Sequence, residues 1–356
     1  MSRNSVSRNS TIGNLKLLFL GGYMIITRTP FRITLGGGGT DLPAYYSKYG
    51  GFIFAAAIDK FMFININVPI VDSLVRVKYS ISETVKNREE LRHDIAKEAL
   101  RLMDIEDSLE IVSMADVPAG TGLGSSSCYA VGLLTGLHSL KRNYVSLNEL
   151  AEEACRIEID RLKKPIGKQD QYMAAFGGLR VLEIEKDGTV KTRAARLTEE
   201  TADALNRKLL MFYTGLSRST DAILAEQSLG VRETKGAVVE NMHEIKELGY
   251  KVLEAAESGN ITDIGLLFDE HWKRKKKLAT NMSNPWLEEI YALAKANGAL
   301  GGKISGAGGG GFFLFYTEKD HQKLKEAMKK AGLKEMHFRF FYEGSKVMVN
   351  LMNGIR

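Results

Sequence analysis

The sequence predicts an α+β fold built from two domains, and three features of the chain support this prediction. Runs of alternating or continuous apolar residues, rich in β-branched and aromatic types, dominate the first 200 residues and indicate strands. Helical spacing of apolar residues dominates the second half. A polar, charged connection over 185–204 separates the two regions. We expect domains at 24–200 and 201–356, preceded by an extension over 1–23 that is either non-native or disordered.

In the first domain the predicted strands and helices are interspersed along the chain. The strands cover 25–35, 52–67, 75–81, 109–114 and 179–184. The helices cover 89–103, 128–140 and 147–162. In the last of these helices, apolar residues recur along one face, as in an amphipathic helix.

The second domain is predicted to be richer in helices. Its helices cover 219–228, 235–258, 261–279, 284–297 and 318–331. Its strands cover 209–214, 312–316, 336–341 and 346–350. The helix at 284–297 carries Pro285 in its first turn and Gly298 just past its end, which is the usual placement of these two residues.

The bulk properties of the chain exclude several classes of protein. Its 356 residues carry a net charge of +6, and the basic residues are scattered apart from one run over 271–277, so we expect no nucleic-acid partner. No apolar run reaches the length of a membrane span, so we expect no membrane partner. Two cysteines without metal-site spacing suit a reducing, cytoplasmic compartment.

A glycine-rich turn between a predicted strand and a predicted helix is the strongest single feature. Glycines let the backbone approach a ligand, and the free N–H groups at the start of a helix favour an anion such as phosphate. A capped helix after a flexible loop is the alternative. The Gly-Lys-Ser/Thr ending of a Walker A loop is absent. The predicted ATP- or phosphate-binding residues are Pro118, Gly120, Gly122, Leu123, Gly124, Ser125, Ser126 and Ser127.

Two further glycine-rich segments, 30–43 and 303–311, accompany this turn. Taken in order, the three segments resemble the three motifs of the GHMP kinases, and the resemblance extends from Met24 to the C-terminus. It implies an N-terminal domain like ribosomal protein S5 domain 2 and a ferredoxin-like C-terminal domain. It also implies that Gly306 and Gly308 of the third motif help to shape the phosphate site.

The first motif implies residues for catalysis and for sugar binding. By the resemblance, Arg32 lies where galactokinases carry an arginine near the catalytic base, and Asp41 lies where they carry a sugar-binding aspartate. The alternatives are a surface ion pair for Arg32 and a turn cap for Asp41. We group Gly38, Gly39 and Thr40 with Asp41 as substrate-binding residues. Galactokinases read Gly-Glu-His-Thr-Asp here, so the all-glycine run argues against galactose.

Two carboxylates twelve residues apart, Glu158 and Asp170, match the same group of kinases. The resemblance implies that Asp170 is the catalytic base and that Glu158 is a magnesium ligand, with Ser126 completing the metal shell. Mg²⁺ prefers one or two carboxylates together with phosphate oxygens and water, and a carboxylate beside the attacking hydroxyl can accept its proton. A solvated helix face for Glu158 and a helix cap for Asp170 are the alternatives.

Several cations could hold a phosphate of the substrate. Lys168 and Arg180 flank Asp170 in sequence, and Arg218 follows the end of a predicted strand. The basic run over 271–277 most simply forms a solvated helix face, although Lys273 or Arg274 could share a face with Lys277 and line a pocket.

The resemblance implies a kinase that uses ATP and Mg²⁺ to phosphorylate the anomeric C1 hydroxyl of a sugar. The glycine-run variant resembles the branch of sugar 1-kinases that act on D-glycero-D-manno-heptose 7-phosphate, which gives the 1,7-bisphosphate, so we expect this substrate. An L-fucokinase-like or galactokinase-like enzyme and a non-catalytic sugar sensor are the alternatives. We expect a monomer or a homodimer.

Overall fold

The computed structural model describes residues 23–216, 220–233, 236–280, 282–319 and 321–351. Residues 1–22 of the predicted extension lie outside the described residues, as does Arg218. Tyr23, the last residue of the predicted extension, is 4% exposed and packs in the same apolar cluster as Ile25.

An eight-stranded sheet organises the first half of the chain, in the order β12-β1-β2-β5-β3-β4, with β6 also paired to β2 and β7 to β6. All pairs are antiparallel except β3 with β5, which is parallel. The strands are β1 (Met24–Gly36), β2 (Gly51–Asn67), β3 (Val75–Lys78), β4 (Ser82–Val85), β5 (Leu109–Ala115), β6 (Leu179–Ile184), β7 (Val190–Ala194) and β12 (Lys346–Asn350).

The long strand β2 is the centre of this sheet. Its first part, 51–56, pairs with β6, and its last part, 62–67, pairs with β5. Nearly its whole length pairs with β1 on the other side. Residues 51–58 of β2 are all buried, as expected for a strand covered on both faces.

Eleven α-helices are described. They are α1 (Pro43–Tyr49), α2 (Asp94–Leu102), α3 (Ser125–Leu140), α4 (Leu147–Cys155), α5 (Gln169–Phe176), α6 (Glu199–Lys208), α7 (Thr220–Arg232), α8 (Gly236–Glu257), α9 (Ile261–Lys275), α10 (Pro285–Ala296) and α11 (His321–Lys330). The helix predicted over 147–162 is α4 followed by a π-helical segment, Arg156–Arg161. No helix in the described part of the chain combines the length and the apolar composition that crossing a bilayer requires.

Helix α3 lies directly on the first sheet because two of its residues lack side chains. A Cβ at Gly132 would lie 2.7 Å from Thr29 Oγ1, and one at Gly136 would lie 2.5 Å from Ile66 Cδ1. Thr27 also donates a hydrogen bond from its hydroxyl to the Gly132 carbonyl, at 2.9 Å. This close packing fixes the N-terminus of α3 relative to β1.

A four-stranded antiparallel sheet, in the order β11-β8-β10-β9, forms the second half. Its strands are β8 (Leu209–Tyr213), β9 (Ala299–Ile304), β10 (Phe312–Thr317) and β11 (Lys334–Glu335). Phe212, Phe313, Phe315 and the fully buried Trp272 of α9 belong to one apolar cluster there. The two halves share a core, because Phe268 of α9 and residues of β8 and β10 pack in the cluster of the first sheet.

Three predictions about the second half need correction. The predicted connection over 185–204 contains β7 and most of α6. The predicted strand over 336–341 forms one bridge, between Phe340 and Ile58, at the irregular middle of β2. The Asp59 N–H donates to the Arg339 carbonyl there, and the Phe341 N–H donates to the Ala57 carbonyl. The last strand, β12, was assigned to the C-terminal domain, but it pairs with β1 at the edge of the first sheet.

Candidate active site

The glycine-rich turn adopts the backbone that its sequence indicated. Gly120, Gly122 and Gly124 have φ values of 76°, 80° and 89°, a region that side chains disfavour. Gly124 caps α3 and, being a glycine, offers no side chain to the first-turn N–H groups of this helix. The N-terminus of α3 therefore keeps backbone donors and the positive end of its dipole for an anionic ligand.

The third glycine-rich segment packs against this turn. A Cβ at Gly122 would lie 2.5 Å from the Ser305 carbonyl oxygen, and one at Gly306 would lie 2.5 Å from the Gly122 Cα. The Ser305 hydroxyl donates a hydrogen bond to the Gly122 carbonyl, at 3.4 Å. The two backbones can meet only because both positions are glycine, which positions β9 beside the turn.

A cavity of about 810 Å³ opens between these loops. The predicted site residues that line it are Arg32, Gly38, Gly39, Asp41, Pro118, Gly120, Gly122, Gly124, Ser125, Ser126, Asp170 and Gly306. The other predicted residues in the described part of the chain do not line it: Thr40, Leu123, Ser127, Glu158, Lys168, Arg180 and Gly308.

Three of these residues support the wall through identifiable contacts. The Thr40 hydroxyl donates to the carbonyls of Gly37 and Phe52, at 2.8 and 2.7 Å. The carbonyl of the buried Leu123 accepts a bond from Arg32 N–H. Gly308 faces Met282, whose Sδ would lie 2.2 Å from an added Cβ. The geometry therefore favours a supporting role for these three residues over direct contact with a ligand.

Arg32 and Asp170 form an ion pair at the wall of the cavity. Arg32 comes from β1 and Asp170 from the first turn of α5. Arg32 Nε and Nη2 lie 2.7 and 2.6 Å from Asp170 Oδ1, and Arg32 Nη1 donates to the Gly122 carbonyl at 2.7 Å. The arginine thus connects the candidate base to the glycine-rich turn.

Asp41 lines the cavity close enough to Asp170 and Arg32 to interact with both charges. Its carboxylate accepts hydrogen bonds from the N–H groups of Gly39 and Gln169, at 3.2 and 3.1 Å. Burial raises the pKa of the Asp41 carboxyl, and the nearby Asp170 raises it further, although the Gln169 bond and Arg32 oppose the shift. A buried carboxylate aimed into a cavity suits hydroxyl groups of a sugar.

Glu158 is fully buried in the π-helical segment behind the first turn of α3. Its Oε2 accepts hydrogen bonds from Ser127 and Gln171, at 2.6 and 2.7 Å. Burial raises the pKa of Glu158, while the hydroxyls of Ser127 and Ser126 lower it. Its Oε1 is buried without a hydrogen-bond partner among the described residues.

These features fit a magnesium ion. Glu158 Oε1 is a hard oxygen ligand without a hydrogen-bond partner among the described residues. Ser126, whose hydroxyl interacts with Glu158, lines the cavity. In the described part of the chain no group of three or more acidic, histidine or cysteine side chains could surround a metal ion. A site with one carboxylate and hydroxyls relies on phosphate oxygens and water for its other ligands, as Mg²⁺ with a nucleotide does.

The cations suggested by sequence proximity are used elsewhere. Lys168 Nζ bonds both oxygens of Glu152, at 2.9 and 3.0 Å, and the Gly188 carbonyl at 2.8 Å. Arg180 bonds the Gly177 carbonyl and lies over the Phe176 ring. Lys273 is half exposed and pairs with Asp269 and Glu270. Lys168 and Arg180 do not line the cavity, so the structure does not bring these two predicted substrate-binding residues to it.

Besides His93 and Lys164, three basic residues that the sequence analysis did not select line the cavity. They are His271 and Lys275 on α9 and Lys303 at the end of β9. All three are more than nine-tenths buried. His271 and Lys275 belong to the basic run for which the sequence favoured a solvated helix face. Their spacing of one helical turn, among apolar neighbours, is the sequence feature that could have indicated that both face the cavity.

One end of the cavity, formed by Tyr79, His93 and Tyr129, is aromatic. His93 stacks on Tyr129, with ring centroids 4.5 Å apart, and Tyr79 meets His93 edge-on at 4.5 Å. Met62 and Pro118 line the same region. Flat apolar surfaces beside a phosphate-binding turn suit a nucleobase.

Two family models match the chain. The model of the GHMP kinases N-terminal domain matches residues 91–178, and the model of the GHMP kinases C-terminal domain matches residues 252–334. The first match contains the glycine-rich turn, Glu158 and Asp170. The second contains the basic residues of α9 and the third glycine-rich segment.

Several proteins similar to this chain are sugar kinases. The chain is 31% identical over 344 residues to D-glycero-alpha-D-manno-heptose 7-phosphate kinase of Campylobacter jejuni, which covers 90% of this chain and 98% of that protein. It is 28% identical to L-fucokinase/L-fucose-1-P guanylyltransferase of Bacteroides fragilis, over 83% of this chain but 34% of that longer protein. A solved D-glycero-D-manno-heptose 1-phosphate kinase from Bacteroides thetaiotaomicron shares the fold, with a TM-score of 0.75, 24% identity and coverage of 91% and 99% of the two chains.

Proposed function

Because this chain belongs to the GHMP kinase family, we propose that it transfers the γ-phosphoryl group of ATP to the anomeric C1 hydroxyl of D-glycero-D-manno-heptose 7-phosphate. The comparisons confirm the family and the α+β fold that the three motifs predicted, and they confirm a sugar kinase. The Campylobacter jejuni relative, matched over nearly its full length, supports the choice of sugar. ATP and Mg²⁺ as ligands and a cytoplasmic location are part of the proposal.

The Arg32–Asp170 pair is the observation that carries the proposed chemistry. It lies between the glycine-rich turn, which offers donors to phosphates, and Asp41, which offers acceptors to sugar hydroxyls. A hydroxyl held by Asp41 and its neighbours would face Asp170 with the phosphates on the other side. Asp170 would accept the proton of the C1 hydroxyl as the new O–P bond forms.

Positioning and charge neutralisation would supply most of the acceleration. Arg32 keeps the Asp170 carboxylate in one orientation and places a positive charge next to the transferred group. The N–H groups of the turn and of the first turn of α3 would hold the phosphate chain. Glu158 and Ser126 would hold Mg²⁺, which, when bound, neutralises phosphate charge. The aromatic end, formed by Tyr79, His93 and Tyr129, would receive the base.

Release of ADP tests this proposal against a panel of sugars. The panel contains heptose 7-phosphate, unphosphorylated heptose, L-fucose, galactose and mannose 6-phosphate, each with ATP and Mg²⁺. We expect turnover with heptose 7-phosphate to exceed that with every other sugar. Preferential turnover of free fucose would favour the fucokinase-like alternative. Sugar binding without turnover of any member would favour the sensor.

A further inference from the structure

Three basic side chains, His271, Lys275 and Lys303, form what we call the basic cluster. Lys275 ends α9, and His271 lies one turn earlier on the same face. Lys303 projects from β9 toward the same cavity, where its Nζ donates to the Leu35 carbonyl at 2.5 Å and lies 4.4 Å from the Phe268 ring centroid. Their exposed fractions are 2%, 7% and 2% in the order named.

The cluster has more donors than the protein uses. Lys275 Nζ bonds the carbonyls of Ile304 and Gly306. Among the described residues neither Lys275 nor Lys303 forms an ion pair with a carboxylate, although each ammonium can donate three hydrogen bonds. Both ring nitrogens of His271 are buried without a partner there. Burying a positive charge without a counterion costs free energy, so binding of an anion beside the basic cluster would be favourable.

We propose that the basic cluster binds the phosphate that the sugar already carries, the one that is not transferred. This inference rests on the proposed function, since it identifies what recognises a phosphorylated sugar at the same site. The basic cluster takes the role suggested earlier for Lys168, Arg180 and Lys273. Lys168 pairs with Glu152, Arg180 lies over the Phe176 ring, and Lys273 pairs with Asp269 and Glu270. The class of ligand is a phosphomonoester.

The position of the cluster favours this phosphate over those of ATP. Leu35, which Lys303 contacts, follows Arg32 on β1 by three residues, or roughly 10 Å at the usual strand rise. The ATP phosphates have their own donors in the turn at 118–124 and in α3. A sugar whose C1 hydroxyl meets Asp170 would therefore direct its far end, which carries the phosphate, toward the cluster.

The protonation of the cluster agrees with this role. Burial, and then the charge of Arg32, lowers the pKa of Lys275 to about 7. Burial also lowers the pKa of Lys303 and of His271 well below their ordinary values. A bound dianion would favour the protonated forms of all three groups, which gives a phosphorylated sugar an advantage that a neutral sugar lacks.

Steady-state kinetics with a matched pair of sugars test the inference. We would measure kcat/KM for heptose 7-phosphate and for unphosphorylated heptose in the wild type, Lys275→Met, Lys303→Met and His271→Gln. Lys273→Met, two residues from Lys275 but directed to solvent, is the control. Each lysine variant should lose about 10- to 150-fold in kcat/KM for the phosphorylated sugar, the range for a bond to a charged group. The values for the unphosphorylated sugar and the KM for ATP should stay near those of the wild type.

The outcomes separate this inference from the proposed function. A wild type that prefers heptose 7-phosphate, with lysine variants that keep this preference, would overturn the inference and leave the function standing. A wild type without the preference would overturn both. An equal loss for both sugars, or a raised KM for ATP, would assign the cluster to the transferred phosphate and also overturn the inference.

Binding of inorganic phosphate provides a measurement that does not depend on the sugar. The titration is made by calorimetry with a nonhydrolysable ATP analogue already bound, so that the glycine-rich turn is occupied. Wild type and Lys273→Met should bind phosphate, and Lys275→Met and Lys303→Met should bind it at least about 10-fold more weakly. Equal binding by all four folded proteins would contradict the inference.

Discussion

Arg32 holds Asp170 through two nitrogens on one oxygen, with Nε 2.7 Å and Nη2 2.6 Å from Oδ1. The third nitrogen of the guanidinium, Nη1, reaches the Gly122 carbonyl. One side chain from β1 therefore sets the distance between the candidate base on α5 and the phosphate-binding turn. Charge-assisted bonds of this kind fix geometry better than a single contact does.

Replacement of the candidate base tests its role directly. Asp170→Asn removes the proton acceptor and keeps the size of the side chain, so we expect kcat to fall by about 10²- to 10⁴-fold. Binding of ATP, measured by calorimetry, should change little because the turn and α3 are intact. The exposed Asp203→Asn on α6 is the control. A kcat within a few per cent of the wild type would remove Asp170 from the base role.

Replacement of Glu158 tests the magnesium site. Glu158→Gln removes the negative charge of the proposed magnesium ligand. At a fixed concentration of ATP, the Mg²⁺ concentration that gives half-maximal activity should therefore rise at least about 10-fold. Burial raises the pKa of Glu158, so its ionised carboxylate destabilises the metal-free folded protein at pH 7. In the absence of Mg²⁺ the melting temperature of the variant should therefore be no lower than that of the wild type. An unchanged Mg²⁺ requirement would contradict the assignment. Glu254→Gln, on the exposed face of α8, is the control.

Contact between the second and third glycine-rich segments predicts a steric penalty at Gly122. Gly122→Ala would bring a Cβ within 2.5 Å of the Ser305 carbonyl oxygen at a φ of +80°. Gly259→Ala is the matched control, because Gly259 has a φ of +82° but nothing within 4 Å of the added Cβ. The control should lose about 1–2 kcal/mol from backbone strain alone. Gly122→Ala should lose more and raise the KM for ATP, and equal losses measured by urea unfolding would refute the steric contact.

The lowered pKa of Lys275 predicts how stability depends on pH. Below about pH 7 both the folded and the unfolded chain carry its proton, and the folded state bears the cost of the buried charge. Between about pH 7 and the ordinary pKa near 10.4 only the unfolded chain keeps the proton, so the stability due to this group rises with pH, by up to about 1.4 kcal/mol per pH unit.

Comparison of the wild type with Lys275→Met isolates this slope. Unfolding free energies from pH 6.5 to 9.5, without substrates, should converge as the pH rises, because the wild type loses its buried charge. The titratable and charged groups that face Lys275 are Arg32, Asp41, His271 and Lys303. The positive charges of Arg32 and Lys303 disfavour protonation of Lys275, and the negative charge of Asp41 favours it. A constant difference between the two proteins across this range would show that Lys275 does not titrate there.

The local patterns of the sequence were enough to predict the motifs and most regular elements. Glycines with positive φ can be recognised in a sequence because few other residues adopt that backbone, and the turn at 118–124 illustrates this. Amphipathic spacing likewise predicted α8 and α9 within a few residues. The strand predicted at 336–341 failed because strand formation depends on the partner, and here the partner is the bulged middle of β2.

The positions of the cations could not be predicted in the same way. Lys168 is two residues from Asp170, yet its ammonium turns to Glu152 and Gly188. Lys275 and Lys303 are 28 positions apart and converge only because α9 packs across β9. Whether a basic residue of a helical run faces solvent or a cavity depends on that tertiary packing, which sequence proximity to a motif does not encode.

The position of the phosphate in the product tests the proposed reaction most directly. After incubation of heptose 7-phosphate with ATP and Mg²⁺, phosphorus NMR should reveal a second phosphate whose signal couples to the anomeric proton, and Asp170→Asn should yield none. This result would establish phosphoryl transfer to the C1 hydroxyl of a sugar phosphate. A new phosphate coupled to any other sugar proton, or consumption of ATP without a phosphorylated sugar, would contradict it.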